Sequence, residues 1–375
     1  MRILYITQTL PYPLYNGGHI RTYSTLKKLK KKKHDIYLCT FVTDKKLLTL
    51  KKEINKLGII TPIILVNTYI TGDETKIKKI LLFIKSLIAC KPFTAYKFYN
   101  KGFKKRIEEL LAIHNFDCVW IDHVNMAQYL PKGFKGKTIL ETHNVDSLFF
   151  KRMFLYSNNP FLKIFALSEW FKYLIYQKQY LLKFSTIYAI SDFDRNQFKK
   201  MTGKKDIRVS SQILFTKKVN KQHPKYPIIL FIGSLRWYPN KDGILWFIKN
   251  IFPNVQNKIP NVKLWIVGDY PASIRNLNIQ GVIFWGIQNN IDKFYKNAKL
   301  FIVPIRYGSG IRIKILESMS WRLPIISTFL GAEGINFINR KSIVIVNSKE
   351  EFESKIITML NQSTEQSFKF KGLNN

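Results

Sequence analysis

Acidic residues are what this chain has least of. It sets 24 Asp and Glu against 61 Lys and Arg, a formal charge of +37 over 375 residues. Such an excess selects for an anionic partner, whether nucleic acid, lipid headgroups or a phosphorylated substrate. A coding bias toward Lys, Ile and Asn pushes the same way but does not by itself explain so few acids. Cysteine is scarce too: Cys39, Cys90 and Cys118 stand far apart with no CxxC pair, in apolar stretches. They read as reduced core thiols of a cytosolic protein rather than a disulfide framework. The longest apolar run, Ile77 to Ala89, is broken by Lys78, Lys79 and Lys85, so no segment reaches the ~18–20 apolar residues that span a bilayer. The opening MRILYITQ is a strand pattern, too short for a signal-peptide core. A soluble, cytoplasmic protein is expected.

What is present is a rhythm. Short β-branched and aromatic runs alternate with longer amphipathic ones: RILYIT, a basic helix over about 21–33, DIYLCTF, a Lys-rich helical stretch, IITPIILV, then DCVWID, KTILETH and TIYAIS. After a polar, basic linker at about 216–227 the rhythm restarts with IILFIGS, VKLWIVG, GVIFWG, KLFIVPI, LPIISTF and IVIVN, with helices expected from Asp242, Asn289, about Ile311 and over 349–361. Strands apolar on both faces belong to parallel sheets covered by helices. The expectation is therefore an α/β protein of two Rossmann-like doubly wound domains, 1–215 and 216–375. Ligands are expected at strand C-terminal ends facing one cleft.

Two segments do not fit that rhythm. Residues 147–184 form an insertion dense in aromatic and basic side chains, and residues 76–93, KIKKILLFIKSLIACKPF, have the same character. In the latter Ile77, Ile80, Leu81, Ile84 and Leu87 recur at helical spacing with lysines around the rest of the wheel. Such a stripe either faces a core or lies in a headgroup layer. Two of these segments together with the net charge favour an anionic membrane surface.

The stretch 304–319, PIRYGSGIRIKILESM, carries the most chemistry. A strand, a small-residue loop and a helix start make an anion site: Gly308, Ser309 and Gly310 let backbone approach a ligand, and the helix end favours a phosphate. Arg312 and Lys314 bring cations to the same end. Glu317 follows Gly310 by seven residues, about 10 Å along a helix at ~1.5 Å per residue, the reach from a diphosphate to the ribose hydroxyls of a nucleotide. A glycine-containing turn before a helix with an i, i+3 Lys–Glu pair would read the same way. The tempting Asp192-Phe193-Asp194 spells a metal-binding DxD, but it follows a strand and opens a helix, where Asp is an ordinary cap. No metal is expected.

These motifs, in this order, resemble the group-1 (family 4) retaining glycosyltransferases of the GT-B fold. The resemblance runs over nearly the whole chain and is densest in FIGSLRWYPNKDG, IVGDYP, VIFWG, LFIVPIRYGSGIRIKILESM and PIISTFLGAEGI. LPYPLYNGGHIRTYSTLKKL, LETHNVDSLFFKRM and YAISDFDRNQF carry it in the first half.

The resemblance implies several roles. Glu317 matches the second Glu of the family's Glu-x7-Glu signature, the ribose ligand, while Ser309 stands where the first would be, as in a branch with a small-residue loop. Arg312 and Lys314 match that branch's diphosphate contacts, with Arg236 or Lys241 as a second diphosphate cation in an altered Gly-Arg-x-x-x-x-Lys arrangement. The Gly17-Gly18 loop and Glu333 would lie by the acceptor or sugar. His143 sits where the family has a cleft histidine, and one of Asp122 and His123 where many members carry a histidine that assists catalysis. A buried histidine with a structural role fits the same positions.

The implied reaction is transfer of a hexose from a UDP- or GDP-sugar, which is a substrate and not a cofactor. The acceptor is a glycan or a lipid-linked intermediate of cell-surface polysaccharide synthesis, at the cytoplasmic face of the membrane. No protein nucleophile is required, because cations and helix-end amides stabilise the leaving diphosphate. Rivals are a GT-B sugar-nucleotide epimerase, a degenerate scaffold and a basic nucleic-acid-binding protein. Against the last, the basic residues form no known nucleic-acid module. The polar tail QSTEQSFKFKGLNN stands where the family continues into a helix returning to the first domain, so either looser domain closure or a contact supplied by another chain is expected.

Overall fold

A computed structural model describes residues 1–14, 16–42, 51–66, 76–210, 226–275, 277–335 and 343–361. The chain divides into two compact units, Met1–Gln212 and Ile213–Asn375. The expected linker, up to residue 225, and the polar tail from 362 lie outside the described residues.

The first unit carries β1 (Arg2–Ile6), β2 (Asp35–Val42), β3 (Ile60–Val66), β4 (Cys118–Asp122), β5 (Lys137–Glu141), β6 (Thr186–Ala189) and β7 (Ile207–Val209). They form one sheet in the order β3-β2-β1-β4-β5-β6-β7, each pair parallel. Its helices are α1 (Gly17–Lys31), α2 (Lys51–Asn55), α3 (Lys76–Ile88), α4 (Phe93–Lys97), α5 (Lys101–Ile113), α6 (Asp146–Tyr156), α7 (Pro160–Leu181) and α8 (Asp192–Thr202), with a 3-10 turn at Val124–Tyr129. Strand residues Ile3, Tyr5, Leu38, Cys118 and Ile139 pack on Leu26 and Leu29 of α1. The insertion 147–184 is the α6–α7 pair. Asn159 caps α7 by accepting from the Leu162 amide at 3.1 Å, with Pro160 in its first turn, where proline's missing N–H costs nothing.

The second unit carries β8 (Ile228–Ile232), β9 (Lys263–Val267), β10 (Val282–Gly286), β11 (Leu300–Val303), β12 (Ile325–Ser327) and β13 (Ile343–Ile345). Their order is β10-β9-β8-β11-β12-β13, again parallel. Its helices are α9 (Tyr238–Asn250), α10 (Phe252–Lys258), α11 (Ala272–Arg275), α12 (Asp292–Asn297), α13 (Ile313–Ser320) and α14 (Lys349–Asn361). One apolar cluster joins Phe247, Phe252, Leu264 and Phe352; another joins Phe294, Tyr295, Phe301 and Trp321.

Two expectations are corrected. Gly17 and Gly18 are not a loop but the first turn of α1, because the Asn16 side chain accepts from the His19 amide at 2.9 Å and caps the helix there. Cys39 and Cys118 are buried, but Cys90 is exposed, since it follows the end of α3 with φ 49° and turns away from the core. The DxD stretch does open a helix, but its cap is Ser191, which accepts from the Asp194 amide at 3.1 Å, and Asp192 and Asp194 stand in the first turn of α8.

In both sheets the strand order reverses once, between β1 and β4 and between β8 and β11. That switch point is where an open parallel sheet offers a crevice at its carboxyl edge.

Candidate functional site

At the switch point of the first unit, β4 ends in Asp122, which is fully buried. Its Oδ2 accepts from Thr7 at 2.8 Å and Thr22 at 2.6 Å, and its Oδ1 lies 2.6 Å from His143 Nε2. Burial alone would raise this carboxyl. The imidazoles of His143 and His123, with hydrogen bonds from His143 and Thr22, outweigh it and hold Asp122 well below the usual carboxylate range. An ionised carboxylate only accepts, so Nε2 carries the hydrogen in this contact, and Nδ1 is the ring's other nitrogen. A methyl placed on Gly18 would come 4.0 Å from that Nδ1. The absent side chain at the start of α1 thus leaves room beside the ring.

His123 packs edge-on against His143 with centroids 3.7 Å apart. Burial, then the neighbouring His143, push its pKa down to about 3, so it is neutral. Its φ of 73° is costly for a residue with a Cβ and marks a position held by its surroundings. Helix α1 is pinned to the same edge: Arg21 lies 3.3 Å from Glu141, Thr25 donates to it at 3.2 Å, and Thr22 reaches Asp122. Of the two candidates, Asp122 is hydrogen-bonded to His143 and His123 packs against that ring.

Asp122, His123 and His143 hold ligand-type atoms within 4.8 Å of one another. Both Asp122 oxygens take part in hydrogen bonds, with His143 on one side and Thr7 and Thr22 on the other.

The second unit's switch point gathers Gly233 after β8, the 308–310 loop after β11, and the start of α13. Lys314 Nζ donates to Asn240 Oδ1 at 2.8 Å and lies 4.1 Å over the Phe231 ring. A methyl on Gly233 would stand 2.7 Å from Asn240 Nδ2 and 2.8 Å from Lys314 Nζ. Arg312 is buried, donates to the Ser309 carbonyl at 2.6 Å and to that of Gly310, and stacks on Trp237 at 5.2 Å. Gly308, at φ 134°, has Arg312 Nη2 2.7 Å from where its Cβ would be. Burial, then the Arg312 charge, hold Lys314 well below its ordinary pKa. Buried Arg312 and partly buried Lys314 thus stand together at one glycine-lined helix start, a place where positive potential favours an anion.

Glu317, on α13, accepts from Tyr295 Oη at 3.1 Å, and Tyr295 stacks on Trp321. Arg236 pairs with Asp269, and Lys241 lies on α9, so Asn240 is the α9 residue that reaches Lys314. Glu333 is buried in the turn after β12. Asn240, Thr7, Thr22 and Tyr295 were given no role from sequence, although Asn240 and Thr22 lie inside the segments that carry the resemblance.

Residues 226–362 match the family described as "Glycosyl transferases group 1". An uncharacterised 44.6 kDa protein in the cps region of Klebsiella pneumoniae is 23% identical over 381 residues, 95% of this chain and 90% of its own. An uncharacterised glycosyltransferase of Methanocaldococcus jannaschii is 34% identical over 90 residues, 22% of each chain. Among solved structures, sucrose-phosphate synthase from Thermosynechococcus elongatus superposes with a TM-score of 0.67 at 12% identity, covering 96% of this chain and 90% of that one. A mutant of S. aureus TarM in complex with fondaparinux, α-GlcNAc-glycerol and UDP gives 0.65 at 12%, covering 96% and 93%. Anabaena HepE in complex with UDP and glucose gives 0.61 at 12%, covering 98% and 91%. At such identities the structures speak for the fold.

Proposed function

The chain is a glycosyltransferase of GT-B architecture with a group 1 domain in its second half, and we propose that it moves a hexose from a UDP- or GDP-sugar to a glycan or lipid-linked acceptor. The transfer retains the anomeric configuration, needs no metal and serves cell-surface polysaccharide synthesis. The observation that carries this reading is the Lys314–Asn240–Gly233 contact beside Arg312. It is a buried cationic seat with a backbone close enough for a diphosphate. Glu317 would accept from the ribose, and the leaving nucleotide's growing charge would be met by Lys314, Arg312 and the amides opening α13.

The first unit takes the acceptor. His143, its tautomer fixed by Asp122, orients the acceptor hydroxyl or the sugar, while the leaving phosphate helps to take the proton, so no protein nucleophile is needed. The cps-region relative supports a polysaccharide product, and the UDP complexes of TarM and HepE support a uridine nucleotide as the first donor to try.

The test is thermal stabilisation by UDP-, GDP- and ADP-sugars in the presence of chelator, for the wild type, Lys314→Ala and Glu317→Ala. One nucleotide class should stabilise the wild type, by about 2.7 kcal/mol at a hundredfold excess over Kd. Lys314→Ala should abolish the effect and Glu317→Ala weaken it. Stabilisation by none of them, or by chelator-sensitive binding alone, would overturn the donor assignment. Conversion of the sugar nucleotide without any acceptor would make the enzyme an epimerase.

A further inference from the structure

Helix α3 is packed the wrong way round for a soluble protein. At ~100° per residue its Ile77, Ile80, Leu81, Ile84, Leu87 and Ile88 fall within an arc of about 120°. A helix with such a stripe normally turns it to the core. Here α3 is seated on the unit through the other side: Ser86 is buried and accepts from Lys172 at 3.2 Å, and Phe83 packs on Phe165 of α7 at 5.2 Å. The aliphatic stripe is left in solvent, with Ile77 71% and Ile88 80% exposed and the other four between 41% and 57%.

Helix α7 repeats the arrangement. Ala166, Glu169, Tyr173, Tyr176, Gln177 and Leu181 face inward, while Phe161, Ile164, Phe171, Ile175 and Leu182 recur at helical intervals on the outside. Phe161 is 81% and Ile175 72% exposed. The Phe83–Phe165 and Lys172–Ser86 contacts make the two helices neighbours, so the stripes belong to one region of the unit.

The charge around them has one sign. Helix α3 contains no acidic residue, and the acid of α7, Glu169, is buried against Lys172 and accepts from the Phe93 amide. Lys78, Lys85, Lys178 and Lys183 are exposed on the same two helices and their ends. No described helix is long and apolar enough to cross a membrane. An aliphatic and aromatic stripe rimmed by lysines matches the boundary between acyl chains and anionic headgroups.

We infer that α3 and α7 form a docking surface by which this chain lies on an anionic phospholipid bilayer, with Ile77, Ile80, Ile84, Phe161, Ile164, Phe171 and Ile175 entering the acyl boundary. Binding does not depend on the sugar donor, so it is measured without one, and its outcome is independent of the transferase reading.

The experiment is co-sedimentation of the full chain with vesicles of phosphatidylcholine alone and of phosphatidylcholine mixed with phosphatidylglycerol, at low and raised salt. Two double variants accompany the wild type: Ile80→Glu with Ile84→Glu, and Phe171→Glu with Ile175→Glu. All four side chains are exposed, so the variants should melt like the wild type. The wild type should bind the anionic vesicles, less so as salt rises, and each double variant should bind at least about tenfold more weakly through lost apolar insertion. Equal binding to neutral and anionic vesicles overturns the proposal. So does unchanged binding by both double variants, which would make the attraction one of general basicity. A dimer in light scattering that the same substitutions dissolve would assign the surface to a second copy of the chain instead.

Discussion

His143 Nε2 lies 2.6 Å from Asp122 Oδ1, and Asp122 is held in turn by Thr7 and Thr22. Asp122 is therefore a positioning residue for His143. Asp122→Asn preserves the shape but presents an amide where an acceptor-only carboxylate stood, so the ring loses its fixed tautomer. Transfer to acceptor should fall by about 10²–10⁴-fold, while stabilisation by the donor nucleotide stays at the wild-type level. Equal loss of donor binding would mean that the substitution had damaged the fold and not the chemistry.

The same carboxyl makes stability depend on pH. Its folded pKa is depressed, because burial is outweighed by the nearby His143 and His123 rings and by hydrogen bonds from His143 and Thr22. A depressed carboxyl stabilises the folded state above its unfolded pKa, about 3.9 for an aspartate, and loses that contribution as pH falls toward the folded value. Urea unfolding should show Asp122→Asn clearly less stable than wild type near neutrality, with the gap closing as acid is added. A gap constant across that range would mean that the charge of Asp122 contributes nothing.

Gly233 is a different kind of position. Its φ of 154° and a Cβ that would stand 2.7 Å from Asn240 and 2.8 Å from Lys314 leave no room for a methyl. Gly233→Ala must displace the lysine from its seat. Nucleotide-sugar stabilisation should be lost, with the unliganded protein destabilised by about 1–3 kcal/mol. Retained nucleotide binding in Gly233→Ala would remove Lys314 from the donor site.

Where sequence was informative follows from what each feature depends on. The β-strands were legible because strands buried on both faces must be apolar throughout, as IILFI and LFIV are. The three-residue β7 is too short to show such a run. The 308–314 stretch was legible as small residues and cations at fixed offsets before a helix, and the structure brings Gly308, Arg312 and Lys314 to one helix start. Asn240 was not, since it meets Lys314 from 74 positions away and a lone Asn in a helix carries no periodic signal. Thr7 and Thr22 reach Asp122 across 115 and 100 positions and are equally silent. The stripe of α3 was legible as a stripe. Its outward direction was not, because that depends on Phe83 and Ser86 winning the contact with α7, and periodicity alone cannot say which face wins.

Lys314 yields the last prediction, because its environment is set up to change on binding. In the unliganded protein burial and the Arg312 charge depress its pKa, so as pH rises it gives up its proton before an ordinary lysine does. A nucleotide diphosphate brings negative charge to the same place and favours the ammonium, raising the pKa again. Binding must then take up protons from solution in the window between the two values. The phosphates of a sugar nucleotide are fully ionised there and contribute none. Calorimetric titration in buffers of differing ionisation enthalpy should give an observed heat that changes with the buffer in the sense of proton uptake, an effect that Lys314→Met abolishes. The unliganded Lys314→Met protein should melt no lower than the wild type. A buried cation held off its preferred state opposes folding below its unfolded pKa, and methionine removes that opposition. A heat independent of buffer at every alkaline pH, with the donor bound, would show that Lys314 does not change protonation on binding.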